Sequence, residues 1–105
     1  MIETRGNVDE QMTNIISALK KFETKHPNST ITVYRQNSVS VRIRIVDESF
    51  DGIAKADRHD TVWKLIEGLD SELQNEISLL LLLTPDELKN SFANFEFDNP
   101  IPTKL

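Results

Sequence analysis

The chain contains no cysteine, which removes disulfides, thiolate nucleophiles and its own cysteine ligation of zinc or iron–sulfur groups. Metal then has only histidines, carboxylates or a partner's cysteines to bind, and the absence accords with a reducing compartment. Three glycines are scattered singly, so neither a glycine-rich phosphate loop nor a nucleophile elbow is present. No apolar run approaches the ~20 residues that span a bilayer. The opening "MIETRGNVDEQM" lacks the basic, apolar, small-residue progression of an export signal, so a cytoplasmic, membrane-free protein is expected. Cations are also short: 12 Lys and Arg face 17 Asp and Glu, a net charge of -5. That balance opposes a phosphate backbone, and nucleic-acid binding would need a locally basic face.

What is present fits one small domain: 105 residues, 38% hydrophobic. Val8, Met12, Ile15, Ile16, Leu19 and Phe22 recur at three- and four-residue steps, which predicts a helix with one buried face. Asn7 and Glu10 read as its capping box, and His26-Pro27 as its end. "TITVYRQ" and "VSVRIRIV" alternate by two around Asn37, which predicts an antiparallel hairpin. Ile31, Val33, Val39, Val41, Ile43 and Ile45 take its covered face. Thr32, Tyr34, Ser40, Arg42 and Arg44 take the other, a small aromatic-and-basic strip on an acidic chain. Such a strip can bind an anion or stack single-stranded nucleic acid, or lie under a neighbour that carries carboxylates.

Val62, Leu65, Ile66 and Leu69 predict a second helix, and Ser71, Leu73 and Gln74 a short third one. "ISLLLLLT" is apolar at both parities, which predicts a strand covered on both faces. Thr84-Pro85-Asp86-Glu87 has the cap, proline and glutamate of a helix start. The ending "SFANFEFDNPIPTKL" holds Phe92, Phe95, Phe97, Ile101 and Leu105, too apolar to stay unpacked. The expected fold is therefore α+β, in the order αββααβα, with helices on one face of a three-stranded mixed sheet. Residues 1–91 form that domain, and 92–105 a Phe-rich tail that docks on the sheet or on a second subunit.

The stretch "DESFDGIAKADRHDTVW" at residues 47–63 concentrates polar chemistry. Asp47, Ser49, Asp51 and Gly52 match four positions of a calcium loop, but Arg58 stands where the bidentate glutamate belongs. Arg58-His59 suggests a general base, with Ser78 as a nominal nucleophile. The structural alternative has His59 packing on Trp63, Asp57 capping the helix and Asp60 pairing with Lys64. The latter is preferred, so no catalytic, cofactor-binding or metal residue is assigned and no enzyme is expected. Tyr34, Arg42, Arg44, Arg58 and His59 remain candidates for partner or anion contact, and Phe92, Phe95 and Phe97 for an interface.

"VRIRIVDESFDG", "RHDTVW" and "EISLLLLLTPDEL" together resemble the BolA-like family. The matching positions are Ser49, Phe50, Gly52, Arg58, His59, Val62, Trp63, Ile77, Thr84, Pro85 and Glu87. The chain also resembles an uncharacterised bacterial family with a similar "SFANFEFDNPIP" ending, a likeness that supplies no activity. The BolA resemblance implies a type II KH-like fold and a small non-enzymatic protein. Such a protein pairs with a monothiol glutaredoxin over a shared iron–sulfur cluster, or regulates transcription. Ser78 stands where the family's cluster-binding histidine falls, and Gln36-Asn37-Ser38 where its second ligand falls. Neither replaces imidazole or thiolate on iron, which leaves only His59 as an unusual ligand. The expectation is thus a cofactor-free interaction or regulatory module, self-associating as a homodimer. The alternative is a nucleic-acid-binding regulator with a KH-like surface, although the loop between its paired helices, "EGLDSE", is acidic.

Overall fold

The computed structural model describes residues 1–100. The predicted hairpin forms from β2 (Thr30–Asn37) and β3 (Ser40–Val46), antiparallel, with Ile31 opposite Ile45 and Val33 opposite Ile43. β4 (Ile77–Leu83) runs parallel to β3, as a crossover connection requires. Among the described residues the sheet has four strands, because β1 (Ile2–Arg5) adds itself parallel to β2. The three-strand expectation is corrected here. Four residues with only Ile2 turned inward are too few for a period to show, and backbone bonds such as Ile31 N–H to Met1 O at 2.8 Å carry the pairing.

α1 (Glu10–Lys25) and α2 (Lys55–Ile66) pack on the face that presents Ile31, Val33, Ile43 and Ile45. Met12, Ile15, Leu19, Phe22, Phe50, Val62, Ile66 and Leu82 complete the core, so the sequence periods place the right side chains inside. Val8 and Val39 are exceptions: Val8 precedes α1, Val39 sits in the hairpin turn, and both are exposed. The cap of α1 is Asp9, whose carboxylate accepts from Met12 N–H at 2.8 Å. Arg35 holds the same carboxylate at 2.6 Å, and that second tie selects Asp9 over the expected Asn7. α2 starts at Ala54 with no side-chain cap, so Asp57 lies inside its first turn. Gly52, at φ +76°, supplies the left-handed turn that leads into α2.

After α2 come α3 (Ser71–Glu76) and β4, the latter at the edge of the sheet and not in its middle. The doubly apolar pattern of β4 is therefore not matched by double cover: Leu79, Leu80 and Leu81 stay half-buried. The helix start at Thr84 yields only a short 3-10 turn, Asp86–Asn90, because Ser91 caps a new helix directly after it. That helix, α4 (Phe92–Asp98), lies in the expected tail and packs on the sheet face opposite α1 and α2. Helices thus occupy both faces, a further correction. The expectations for Ile101 and Leu105 lie outside the described residues.

Candidate functional site

The basic strip of the hairpin lies under α4. Arg5, Tyr34 and Arg42 form one cross-strand row, and Arg44 sits two residues along β3. Phe97, fully buried, enters this row with its ring 4.9 Å from that of Tyr34, edge to face. The guanidiniums of Arg44, Arg5 and Arg42 stand 4.7, 5.6 and 5.8 Å from the same ring. Tyr34 Oη donates to the carbonyl of Phe97 at 2.6 Å. Arg42 grips both oxygens of Glu96, and Arg44 binds Asn94 at 2.7 Å and Asp98 at 2.9 Å. Arg5 reaches Asp98 at 2.8 Å. The hydrogen bonds from Arg42 hold Glu96 below its usual carboxylate range. Tyr34, Arg42 and Arg44 are therefore engaged within the chain, and the strip offers no open anion site in this conformation. The cover leaves Thr32 Oγ1 and Arg44 Nε buried without a partner among the described residues, a local cost.

Arg58 is 5% exposed and ties three segments together. Its Nε donates to the carbonyl of Ile53 at 2.8 Å, Nη1 to that of Leu82 at 3.1 Å, and the fork grips Glu87 at 2.6 and 3.2 Å. Glu87 also accepts from Thr84 N–H at 2.8 Å, while its own N–H donates to Thr84 Oγ1 at 3.3 Å. One carboxylate thus completes a capping box and neutralises a buried cation. Those bonds, Arg58 first and the Thr84 amide second, lower the Glu87 carboxyl to about 2. His59 is exposed and stacks on Trp63, with ring centroids 5.5 Å apart at 14°.

The nucleophile chemistry weighed from sequence does not assemble. Ser78 meets Ser40 Oγ and, at 3.4 Å, the carbonyl of Val41. A different serine, histidine and aspartate do meet: His26 Nδ1 lies 3.0 Å from Asp47 Oδ2 and 3.3 Å from Ser49 Oγ, and Ser49 donates to Asp47. Both oxygens approach the same ring nitrogen, whereas a hydroxyl relay needs the carboxylate on one nitrogen and the nucleophile on the other. The cluster instead pins the end of α1 to the exit of β3. Its members belong to separate elements, so no spacing signalled it.

Of the places that the family resemblance assigns to cluster ligands, Ser78 lies beside the first residue of β3 and Asn37 ends β2. Ser78 touches Ser40, and Ser40 pairs with Asn37 at the hairpin end. Hydroxyl and amide oxygens stand there, and these do not replace imidazole or thiolate on iron.

One of the open grooves runs along β4. Lys55, Ala56 and His59 stand over Leu80 to Leu83 and enclose about 300 Å³. Lys55 and Leu83 lead on into a cleft of about 470 Å³ that reaches Asn90, Ser91 and Phe92. Beside it, Phe92 is 83% exposed and Phe95 64% exposed, while Phe97 of the same helix is in the core. Of the candidate interface residues, Phe97 is thus spent on the chain's own sheet.

By sequence, no protein-family profile and no curated protein matches the chain. Among solved structures, BolA1 from Arabidopsis thaliana matches 76% of this chain and 98% of its own, with a TM-score of 0.54 and 18% identity. The BolA domain of SufE1 from Arabidopsis thaliana matches 77% of this chain and 99% of its own, with a TM-score of 0.51 and 20% identity. The fold is BolA-like.

Proposed function

We propose that this chain is a non-enzymatic protein-interaction module on a BolA-like fold, and that it self-associates. The observation that carries this reading is the pair Phe92 and Phe95, 83% and 64% exposed on a helix whose third phenylalanine is fully buried. α4 is anchored by one aromatic side chain and presents two more, and exposed aromatic clusters of this kind mark contact surfaces. A non-enzymatic role is supported by the engagement of Arg42, Arg44 and Arg58 with carboxylates of the same chain. It is supported as well by the shared ring nitrogen in the His26 cluster. Ser78 and Gln36-Asn37-Ser38, which offer neither imidazole nor thiolate at the ligand places, argue against a cluster shared with a monothiol glutaredoxin. Nucleic acid is disfavoured by the net charge of -5 and by the helix over the basic strip. The lack of cysteine accords with a cytoplasmic setting.

The test is light scattering after size exclusion across a concentration series, on the unmodified chain and on Phe92→Ser with Phe95→Ser. Both side chains face solvent, so the double variant should keep its melting temperature and lose mass relative to the parent. A parent that stays monomeric at every concentration contradicts the proposal.

A further inference from the structure

The two edges of the sheet, among the described residues, are finished differently. β1 has four residues, with the charged Glu3 and Arg5 among them, which are ordinary ways of discouraging strand addition. β4 has seven residues, no charge and no proline, and Leu79 to Leu83 run without interruption. Its one irregularity, a register shift beside Ser78, lies at its start. No described strand pairs with its far side. A long, uncharged, half-buried edge is a template for pairing with another chain.

We propose that β4 pairs antiparallel with β4 of a second copy across a two-fold axis near Leu80, joining two four-stranded sheets into one of eight. This rests on the self-association proposed above and supplies its contact and symmetry. The strand is complementary to itself: about that axis Leu79 faces Leu81, Ser78 faces Leu82 and Ile77 faces Leu83. On a chain of net charge -5, an uncharged strand is where two copies approach without carboxylates opposed across the pair. The contact is isologous and closes on itself, so both unprotected edges disappear and only the two charged β1 edges remain outside. Phe92 lines the adjoining cleft beyond Leu83.

The absence of native cysteine makes the test clean. Single full-length variants Leu79→Cys, Leu80→Cys, Leu81→Cys and, on the exposed side of α2, Thr61→Cys are oxidised mildly and run without reductant. Covalent dimer should dominate for Leu80→Cys, which faces itself, and for an equimolar mixture of Leu79→Cys and Leu81→Cys, which face each other, and stay near background for each of those two alone and for Thr61→Cys. In parallel, Leu81→Glu places a carboxylate beside Arg44, where the fold can accept it, and adds a charge to the edge. Its mass in solution should fall to that of the monomer with melting retained. A dimer that survives Leu81→Glu, gives no strand cross-link and is lost only in the Phe92/Phe95 variant overturns the edge pairing and keeps the self-association. An unmodified chain that is monomeric throughout overturns both. A monomer whose β4 amides become protected only when a synthetic extended peptide is added assigns the edge to a different chain and also overturns the pairing.

Discussion

At the scale of single residues, Glu87 stabilises two elements at once. Its carboxylate serves the Thr84 cap and the Arg58 fork together, and its removal leaves a nearly fully buried guanidinium with two carbonyls only. Because its folded value is about 2 against an ordinary 4.5, its contribution is complete above about pH 4.5 and is lost as pH falls toward 2. Melting temperature measured from pH 2 to 6 should therefore drop on the acid side in the parent, and less so in Glu87→Gln, which starts lower. Equal acid slopes for the two proteins would remove this role. Phe97 is the other decisive side chain, the largest of the fully buried ones. Phe97→Ala should cost about 3–5 kcal/mol in denaturant unfolding, since both transfer and cavity terms apply. The alternation of Tyr34, Arg42 and Arg44 on one strip was legible from sequence. Their engagement was not, because the partners Glu96, Phe97 and Asp98 lie more than fifty positions away along the chain and local periods carry no such information.

At the scale of elements, sequence reading worked where a hydrophobic period ran long enough. α1, the β2–β3 hairpin and α2 face the core with the side chains their periods select, Val8 and Val39 excepted. It failed at short elements. β1 holds its place through backbone bonds to β2, and α4, seven residues long, was read only as a tail that must dock. The capping box at Thr84 was read correctly as chemistry and wrongly as the start of a full helix. α4 also depends on a local contact at its cap. Ser91 Oγ accepts from Asn94 N–H at 3.0 Å, and Ser91→Ala should lower stability by about 1 kcal/mol. Hydrogen exchange should show that loss first at residues 92–98, since a seven-residue helix depends on its cap and its docking more than on its own ladder. Uniform exchange across the domain would instead mean that α4 unfolds only with the whole.

At the scale of the molecule, the chain combines a BolA-like fold with a surface that departs from what the family resemblance implies. Ser78 and Gln36-Asn37-Ser38 stand at the ligand places, the basic strip is closed by the chain's own acidic aromatic helix, and the free strand edge is uncharged. Together these move the expected chemistry away from a shared cluster or a phosphate backbone and toward contact between protein surfaces. An apolar contact of this kind should be insensitive to salt, unlike an interface built from exposed charges. The most direct measurement is sedimentation equilibrium of the unmodified full-length chain over a hundredfold range of concentration, at low and at high salt. Self-association through an apolar surface is expected to give a mass that rises from monomer to dimer and a midpoint unmoved by salt. A monomer mass at every concentration would contradict it.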